Sequence, residues 1–421
     1  MTGAPLELFD AGTPARPAVS LAFDADDPVL AAAAWSRLAE PADVVAGALV
    51  AHLGAGPALA WLVDAARDPG RALQGTVLRV SVPDGAGGAT SRRGATERLA
   101  AAVARWVPRL ENLDPRRELH VLDRHGGVLL TPDDARWPGG LGDLGPAAPF
   151  ALWVRGRDDL AGMAARSVAV VGARATTSYG EHVAARMASG LVDRGFAVVS
   201  GGAYGIDAAA HRGAVAAGGP TVALLAGGVD RFYPQGNHDL LRRVAEDGGA
   251  VVSEVPPGSA PFRQRFLARN RLIAAMSRAT VVVEAAWRSG ALSTARRAAE
   301  LLRPVGAVPG PVTSMASGGC HLLLRDGLAT CVTDAGEVAE LAGDLGADAA
   351  PEPVSAHRPV DGLDEVGRRL WDALPLRSPA SVEAVARTAG LGPREALAGL
   401  GGLALEGLAV QRDGGWSRGG C

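Results

Sequence analysis

The sequence predicts an α/β protein built on a doubly wound parallel sheet, flanked by an N-terminal helical domain and a C-terminal winged helix. Three observations predict it. Apolar runs recur at regular intervals: SVAVVGA (167–173), FAVVSGG (196–202), TVALLAGG (221–228), GAVVSE (249–254), ATVVVEA (279–285) and RPVGAVPG (303–310). Each run is continuous in Val, Leu and Ala rather than alternating, as in strands covered on both faces. Between them lie helical stretches at roughly 178–194, 205–217, 237–247, 268–278 and 290–302, the crossovers that parallel strands require.

At 421 residues the chain accommodates two or three domains, and 48% hydrophobic content is ample for their cores. Only 4% of residues are aromatic, so the apolar content is mostly Ala, Val and Leu, and Gly (56) and Pro (28) are plentiful. All 42 basic residues are arginine, so any side-chain cation on a phosphate is a guanidinium. Cys320, Cys331 and Cys421 form no CxxC pair, which argues against structural zinc and against a secreted disulfide framework. The first 27 residues lack a basic-then-apolar leader, and no apolar run reaches the roughly 18 residues of a membrane span. A cytoplasmic protein without a membrane partner is expected. The net charge of −3 hides an asymmetry: residues 166–335 hold 18 Arg against 12 acids, the remainder 24 against 33. The basic excess coincides with the strands and glycine turns and points to a polyanionic partner for the middle of the chain only.

Residues 1–27, rich in Gly, Pro and Asp without periodicity, read as a disordered tail. Helical spacing in VLAAAAWSRLA and VVAGALVAHLGAGPALAWLVDAA, broken at GAGP and at the glycine-rich 84–94, predicts a helical domain over 28–115. Its LGAGP (Leu53–Pro57) is similar to the glycine turn of a helix-hairpin-helix, although a plain helix–helix turn accounts for it better. Residues 119–165 read as two or three strands around a polar loop, leading into a doubly wound domain over 116–343 with its core at 165–335. The Pro/Ala-rich 344–361 reads as a linker. Three short amphipathic helices and a closing two-strand segment, LAVQRDGGWSR, predict the winged helix over 362–421. Its expected recognition helix, 393–406, offers only Arg394 against Glu395 and Glu406. Such a helix suits a protein partner, or none, rather than a duplex.

Ligands of doubly wound sheets bind at the carboxyl ends of the strands, where the glycines of this chain sit. The first strand ends in Gly172-Ala173-Arg174, which aims Arg174 at the crevice. This is not the GxGxxG dinucleotide fingerprint, and no acid closes the second strand to meet a ribose, so no nicotinamide cofactor is expected. SGGAYGIDAAAH (200–211) places Ser200, Gly201, Gly202, Tyr204 and Gly205 ahead of a helix whose free N–H groups suit an anion. Asp207 reads as a favourable first-turn residue of that helix, and His211 as an ordinary helix-face contact. In PFRQRFLARNR (261–271), Arg263 and Arg265 stand just ahead of Arg269, Asn270 and Arg271, which open a helical pattern. Interleaved arginines and phenylalanines suit a single strand, with Arg269 on a phosphate, while Phe266 reads as a core anchor. Glu254 and Glu284 end strands and read as partners fixing arginines of this cluster rather than as acid–base groups. Ser289-Gly290 opens the next helix and completes the anion site. No nucleophile with its base and no metal-ligand set accompanies these residues. The site holds an anion rather than cutting one.

The succession VGAR…YG, SGGAYGIDAAAHRGA, G.T.ALLAGGVDRFYP.GN, GG.VVSE.PPG, F..RNRLIA..S, VVVEA…SGALSTA and VPG closely resembles the DNA-processing protein A (DprA, or Smf) family over about 165 to 335. The resemblance implies an extended Rossmann-like domain that binds single-stranded DNA. It also implies a homodimer that protects incoming DNA and loads RecA onto it in natural transformation, with no enzymatic activity. Carried over residue by residue, it assigns DNA contacts to Gly172, Arg174, the Ser200–Gly205 turn and the Arg269-Asn270-Arg271 run. Three positions depart from the family pattern: Tyr204 where a basic residue is usual, Leu267 for proline, and His321 for asparagine. Tyr204 is expected to stack on a base, the alternative being that it packs inward on the first helix. The rival reading is a nucleotide-phosphate hydrolase of the cytokinin-activating type. It needs a PGGxGT-type turn followed by a catalytic glutamate, where this chain has WRSGALST and no acid before Glu300.

Overall fold

The computed structural model describes residues 20–75, 92–350 and 359–419. Most of the expected tail, most of the glycine-rich break at 84–94 and the centre of the expected linker lie outside the described residues. The chain divides into two compact units at Ala350–Pro351.

The first unit opens with helices α1 (Pro28–Leu38), α2 (Val44–Leu53), α3 (Ala55–Arg67), α4 (Pro69–Gly75), α5 (Arg92–Trp106) and α6 (Pro115–Arg124). Asp27 caps α1 and Asp43 caps α2, each carboxylate accepting from two first-turn N–H groups. Their apolar faces close around Trp35 and Trp106, which meet edge to face at 5.6 Å. The LGAGP turn packs on its own domain at Gly56: a Cβ there would lie 2.4 Å from the Ala25 carbonyl oxygen, so this glycine serves packing. The α6 segment corrects the strand expected from residue 119. Asp114 at the N-cap and Pro115 at the first position start a helix, and Leu119 and Leu122, three apart, share its apolar face.

There follow β1 (Gly127–Leu130), β2 (Leu152–Gly156), α7 (Leu160–Ala165), β3 (Ser167–Val171), α8 (Ser178–Val192), β4 (Ala197–Ser200), α9 (Ile206–Ala216), β5 (Thr221–Leu225), α10 (His238–Glu246) and β6 (Ala250–Ser253). After these come α11 (Arg263–Met276), β7 (Ala279–Val282), α12 (Ala291–Glu300), β8 (Val305–Ala307), α13 (Gly318–Arg325), β9 (Thr330–Cys331) and α14 (Ala335–Ala342). The nine strands form one sheet in the order β1-β2-β6-β5-β4-β3-β7-β8-β9. Strands β3 to β9 are parallel, and β2 and β1 extend the β6 edge antiparallel. This is a Rossmann-like α/β fold. Both faces are covered: Val168, Val170 and Val198 pack on α8, α9 and α14, while Ala169, Val171 and Val199 pack on α11 and α12.

The strand order reverses at β3. From there the chain steps outward through β4, β5 and β6, then crosses back to place β7 on the other side of β3. The carboxyl ends of β3 and β7 therefore splay around a crevice at the topological switch point.

All five expected crossover helices are present, but α11 begins at Arg263 rather than near 268. Phe262 is extended, and its carbonyl accepts from Arg265 and Phe266, which starts the helix one and a half turns early. Arg269, Asn270 and Arg271 thus sit in mid-helix, where N–H groups are already bonded and no helix-terminal charge is on offer.

The second unit holds α15 (Glu365–Ala373), α16 (Val382–Ala389) and α17 (Pro393–Leu405), then a hairpin of β10 (Ala409–Arg412) and β11 (Gly415–Arg418). Asp413 and Gly414, both at positive φ, make the two-residue turn that suits a tight hairpin. Three helices followed by a hairpin is the element order the sequence predicts for a winged helix.

Candidate nucleic-acid interface

The crevice holds a cavity of about 500 Å³. Of the residues singled out from sequence, Gly172, Arg174, Arg269, Asn270, Ser289 and Gly290 line it, joined by Asp207, Phe266 and Arg288. Gly172 leaves β3 where a Cβ would fall 2.5 Å from Ile206 and 2.9 Å from the Glu284 carbonyl oxygen, so only glycine lets the loops converge. Arg174 is exposed at the mouth, its guanidinium 4.7 Å from the Phe266 ring centre in a cation–π contact. Phe266 is therefore not the core anchor expected. It is half-buried, faces the cavity and lies 6.0 Å from the Tyr233 ring.

The Ser200–Gly205 turn is more tightly held than its sequence suggests. Asp207 turns back and accepts from the Gly201 and Ala203 N–H groups at 3.1 and 3.4 Å. Asn237 donates to the Gly202 and Ala203 carbonyls, both at 3.0 Å, and the Ser200 hydroxyl donates to the Val170 carbonyl. The anion at this helix start is thus the protein's own carboxylate, and those two N–H groups are not free for a phosphate as expected. Burial raises the Asp207 carboxyl above its ordinary range, against the opposing pull of Arg269 and the turn N–H groups. Tyr204 is half exposed and its hydroxyl accepts from the Gly236 N–H at 3.2 Å, so the ring lies against the 235–237 turn and does not line the cavity.

Arg269 lies beneath this turn, 5% exposed, donating to the Leu224 carbonyl at 2.6 Å. Burial pulls its guanidinium down to about 10, with Asp207 opposing and Arg174 adding to the fall, so it stays cationic at neutral pH. A Cβ on Gly201 would fall 1.9 Å from the Arg269 Nη1, which is why a glycine stands there. Asn270 donates to the Gly290 carbonyl at 3.3 Å and ties α11 to the 288–291 turn, where the Ser289 hydroxyl accepts from the Ala291 N–H.

Three arginines expected at the site are placed elsewhere. Arg271 points away and is paired with Glu254 through two bonds of 2.8 and 2.5 Å, and it donates to the Ala147 carbonyl at 2.9 Å. Arg265 is paired with Glu40 of the α1–α2 loop at 2.9 and 3.2 Å and is stacked on Phe262. Arg263 is exposed but does not line the cavity. The helix turns about 100° per residue, so adjacent arginines cannot share one face. Of the two strand-end glutamates, Glu254 does fix an arginine. Glu284 instead accepts from the Thr176 and Thr177 hydroxyls, both at 2.7 Å, and from the Thr177 N–H at 3.0 Å, holding the loop that carries Arg174.

Sequence reasoning missed Arg288, which is exposed on the cavity wall, and Asn237, which locks the turn. A basic residue just beyond a buried strand and ahead of Ser289-Gly290 was a signal for the first. Asn237 closes the GGVDRFYP.GN motif, but its partner is 35 residues away and nothing local told what it holds.

His211 lies behind the turn, wholly buried, its Nδ1 2.8 Å from the Thr221 Oγ1 and not paired with Asp207. The Thr221 hydroxyl donates to the Val198 carbonyl, so the imidazole Nδ1 is the donor to Thr221. Burial, then Arg269 and Arg212, push it down to about 3. The unfolded chain takes up this proton near the ordinary 6.5 and the folded chain does not, so stability present above that pH is lost as pH falls toward 3. Between pH 7 and pH 5 the expected loss is about 2 kcal/mol. Urea unfolding of the wild type and of His211→Gln at both pH values checks it: the loss should be smaller in the variant by that amount.

A doubly wound sheet with an arginine-lined cavity at its switch point defines a Rossmann-like protein with a candidate anion site and a rigid glycine turn. The model of DNA recombination-mediator protein A matches residues 128–343. The chain is 50% identical over 312 residues to the putative DNA processing protein DprA of Mycobacterium tuberculosis, covering 71% of this chain and 79% of that protein. It is 41% identical over 192 residues to protein Smf of Escherichia coli, covering 46% and 50% respectively. It also resembles the X-ray structure of DNA processing protein A from Streptococcus pneumoniae, at 33% identity over 59% of this chain and 86% of that one, with a TM-score of 0.51. The chain belongs to the DNA recombination-mediator protein A family. Among the described residues no single helix is long and apolar enough to cross a membrane.

Proposed function

We propose that this recombination mediator binds single-stranded DNA in the switch-point crevice, without catalytic chemistry of its own. In this reading it acts in the cytoplasm as a homodimer, protects incoming DNA and hands it to RecA during natural transformation. The observation that carries the binding is the pair of exposed guanidiniums, Arg174 and Arg288, on the wall of one cavity that also presents the Phe266 ring. Guanidiniums on phosphates and an aromatic face for a base are what a single strand needs, and neither reads sequence. The carboxylate lining the cavity, Asp207, is buried and committed to the Gly201 and Ala203 N–H groups, which disfavours the nucleotide-hydrolase reading.

The test is an ionic-strength series with single-stranded and double-stranded oligonucleotides. Arg174→Glu combined with Arg288→Glu should weaken single-strand binding severely. The plot of log K against log salt should also flatten by about 0.7 for each phosphate no longer neutralised. An unchanged slope would place the strand elsewhere.

A further inference from the structure

We propose that Trp287 is a base-stacking platform beside the crevice, a subsite for one nucleobase of a strand whose phosphates lie on Arg174 and Arg288. The inference rests on the single-strand reading above and adds to it a residue that the motifs do not assign. Among the eight tryptophans, all within the described residues, Trp287 is the one exposed over more than half its surface, at 54%. Trp35, Trp106, Trp153 and Trp416 are buried, as the cost of leaving a large apolar ring in water would dictate. An indole held in water on a short strand-to-helix turn is available to a ligand.

Its position and support suit a base. Trp287 stands between Ala286 and Arg288, both of which line the cavity, and the Ser289 N–H closes the turn on the Ala286 carbonyl at 2.9 Å. A Cβ placed on Gly318, the first residue of α13, would fall 2.6 to 3.1 Å from Nε1, Cδ1 and Cε2 of the indole. Three atoms of the five-membered ring at such similar distances mean that the ring rests face-on against the glycine. One face is seated on backbone and the other is open. Gly318 has an ordinary helical φ of −57°, so what it supplies is room for the ring rather than backbone freedom. The ring is thus pre-organised, and a base laid on its open face brings the adjoining phosphate toward the neighbouring guanidinium of Arg288. Stacking of this kind accepts any base, which fits a mediator without sequence preference.

The experiment uses the full-length protein and fluorescence anisotropy with two probes: an oligothymidylate, and a strand of the same length made of abasic sites. Trp287→Ala and Trp287→Leu should each lose on the order of tenfold in affinity for oligothymidylate, while Trp287→Phe keeps most of it. None should change affinity for the abasic strand or alter the salt slope, and urea unfolding should match wild type. The leucine variant separates a stacked base from a merely apolar contact. Wild-type affinity of Trp287→Ala for oligothymidylate would overturn the inference, as would equal losses on both probes. A change in molar mass on Trp287→Ala, measured by sedimentation without change in binding per protomer, would assign the ring to a protein contact and also overturn it. If those variants are silent while Arg174→Glu with Arg288→Glu flattens the salt slope, the single-strand reading stands and only the platform falls.

Discussion

Arg271→Ala is expected to lower the unfolding free energy by about 3–5 kcal/mol, the largest effect of any arginine in the segment. Arg271 and Glu254 are both buried and bonded through two pairs of atoms, and the same guanidinium satisfies the Ala147 carbonyl between β1 and β2. Removing the cation strands a carboxylate in the interior, which costs far more than the pair contributes over an apolar replacement. Urea unfolding should show the loss in Arg271→Ala and most of it restored in the double variant Arg271→Met with Glu254→Leu. In the fraction that remains folded, the salt dependence of single-strand binding should match wild type, because the guanidinium does not reach the cavity. A flatter salt slope with intact stability would mean that Arg271 faces the strand after all.

Gly205→Ala should be nearly as damaging, for a different reason. Gly205 has φ of +75°, and a Cβ there would fall 2.2 Å from the Ala173 carbonyl oxygen and 2.5 Å from that of Arg174. The obstacles are backbone atoms, so no rotamer change relieves them. Combining a conformation disfavoured for L-residues with overpacking gives an expected loss of about 2–4 kcal/mol. The atoms displaced are those that aim Arg174, so single-strand affinity should fall at least about tenfold beyond any unfolding, on the scale of one charge-assisted hydrogen bond. Gly290→Ala is the matched control: φ there is −62° and nothing lies within 4 Å of the added carbon. It should be neutral in stability, the property in which the two variants are compared. A damaging Gly290→Ala would show that strand and turn approach more closely at that end than the geometry indicates.

The placing of the crevice was legible because it depends on local signals. Six buried runs and five crossovers follow from hydrophobic period, and the glycines at strand ends mark where backbone must come close. The helix start at Arg263 was not legible: RQRFLAR has helical propensity, but no capping residue marks Phe262 as the extended residue ahead of the helix. Glu40 capturing Arg265 across 225 residues had no local signature at all. Nor did the return of Asp207 onto the Gly201 N–H, since a first-turn aspartate looks the same whether it faces solvent or folds back on a loop.

The sequence by itself determined the class of fold, the family and the strand ends at which a ligand is met, because period, glycine placement and motif order are properties of short stretches. Only the tertiary structure decided which charges are available there. In one dimension Arg263, Arg265, Arg269 and Arg271 form a single basic cluster. In three dimensions each residue of α11 is rotated by about 100° from the last, and every buried guanidinium must find an anion or a carbonyl. Arg271 therefore goes to Glu254, Arg265 to Glu40 and Arg269 beneath the turn with Asp207, while Arg174 and Arg288, from two different loops, are left exposed at the cavity.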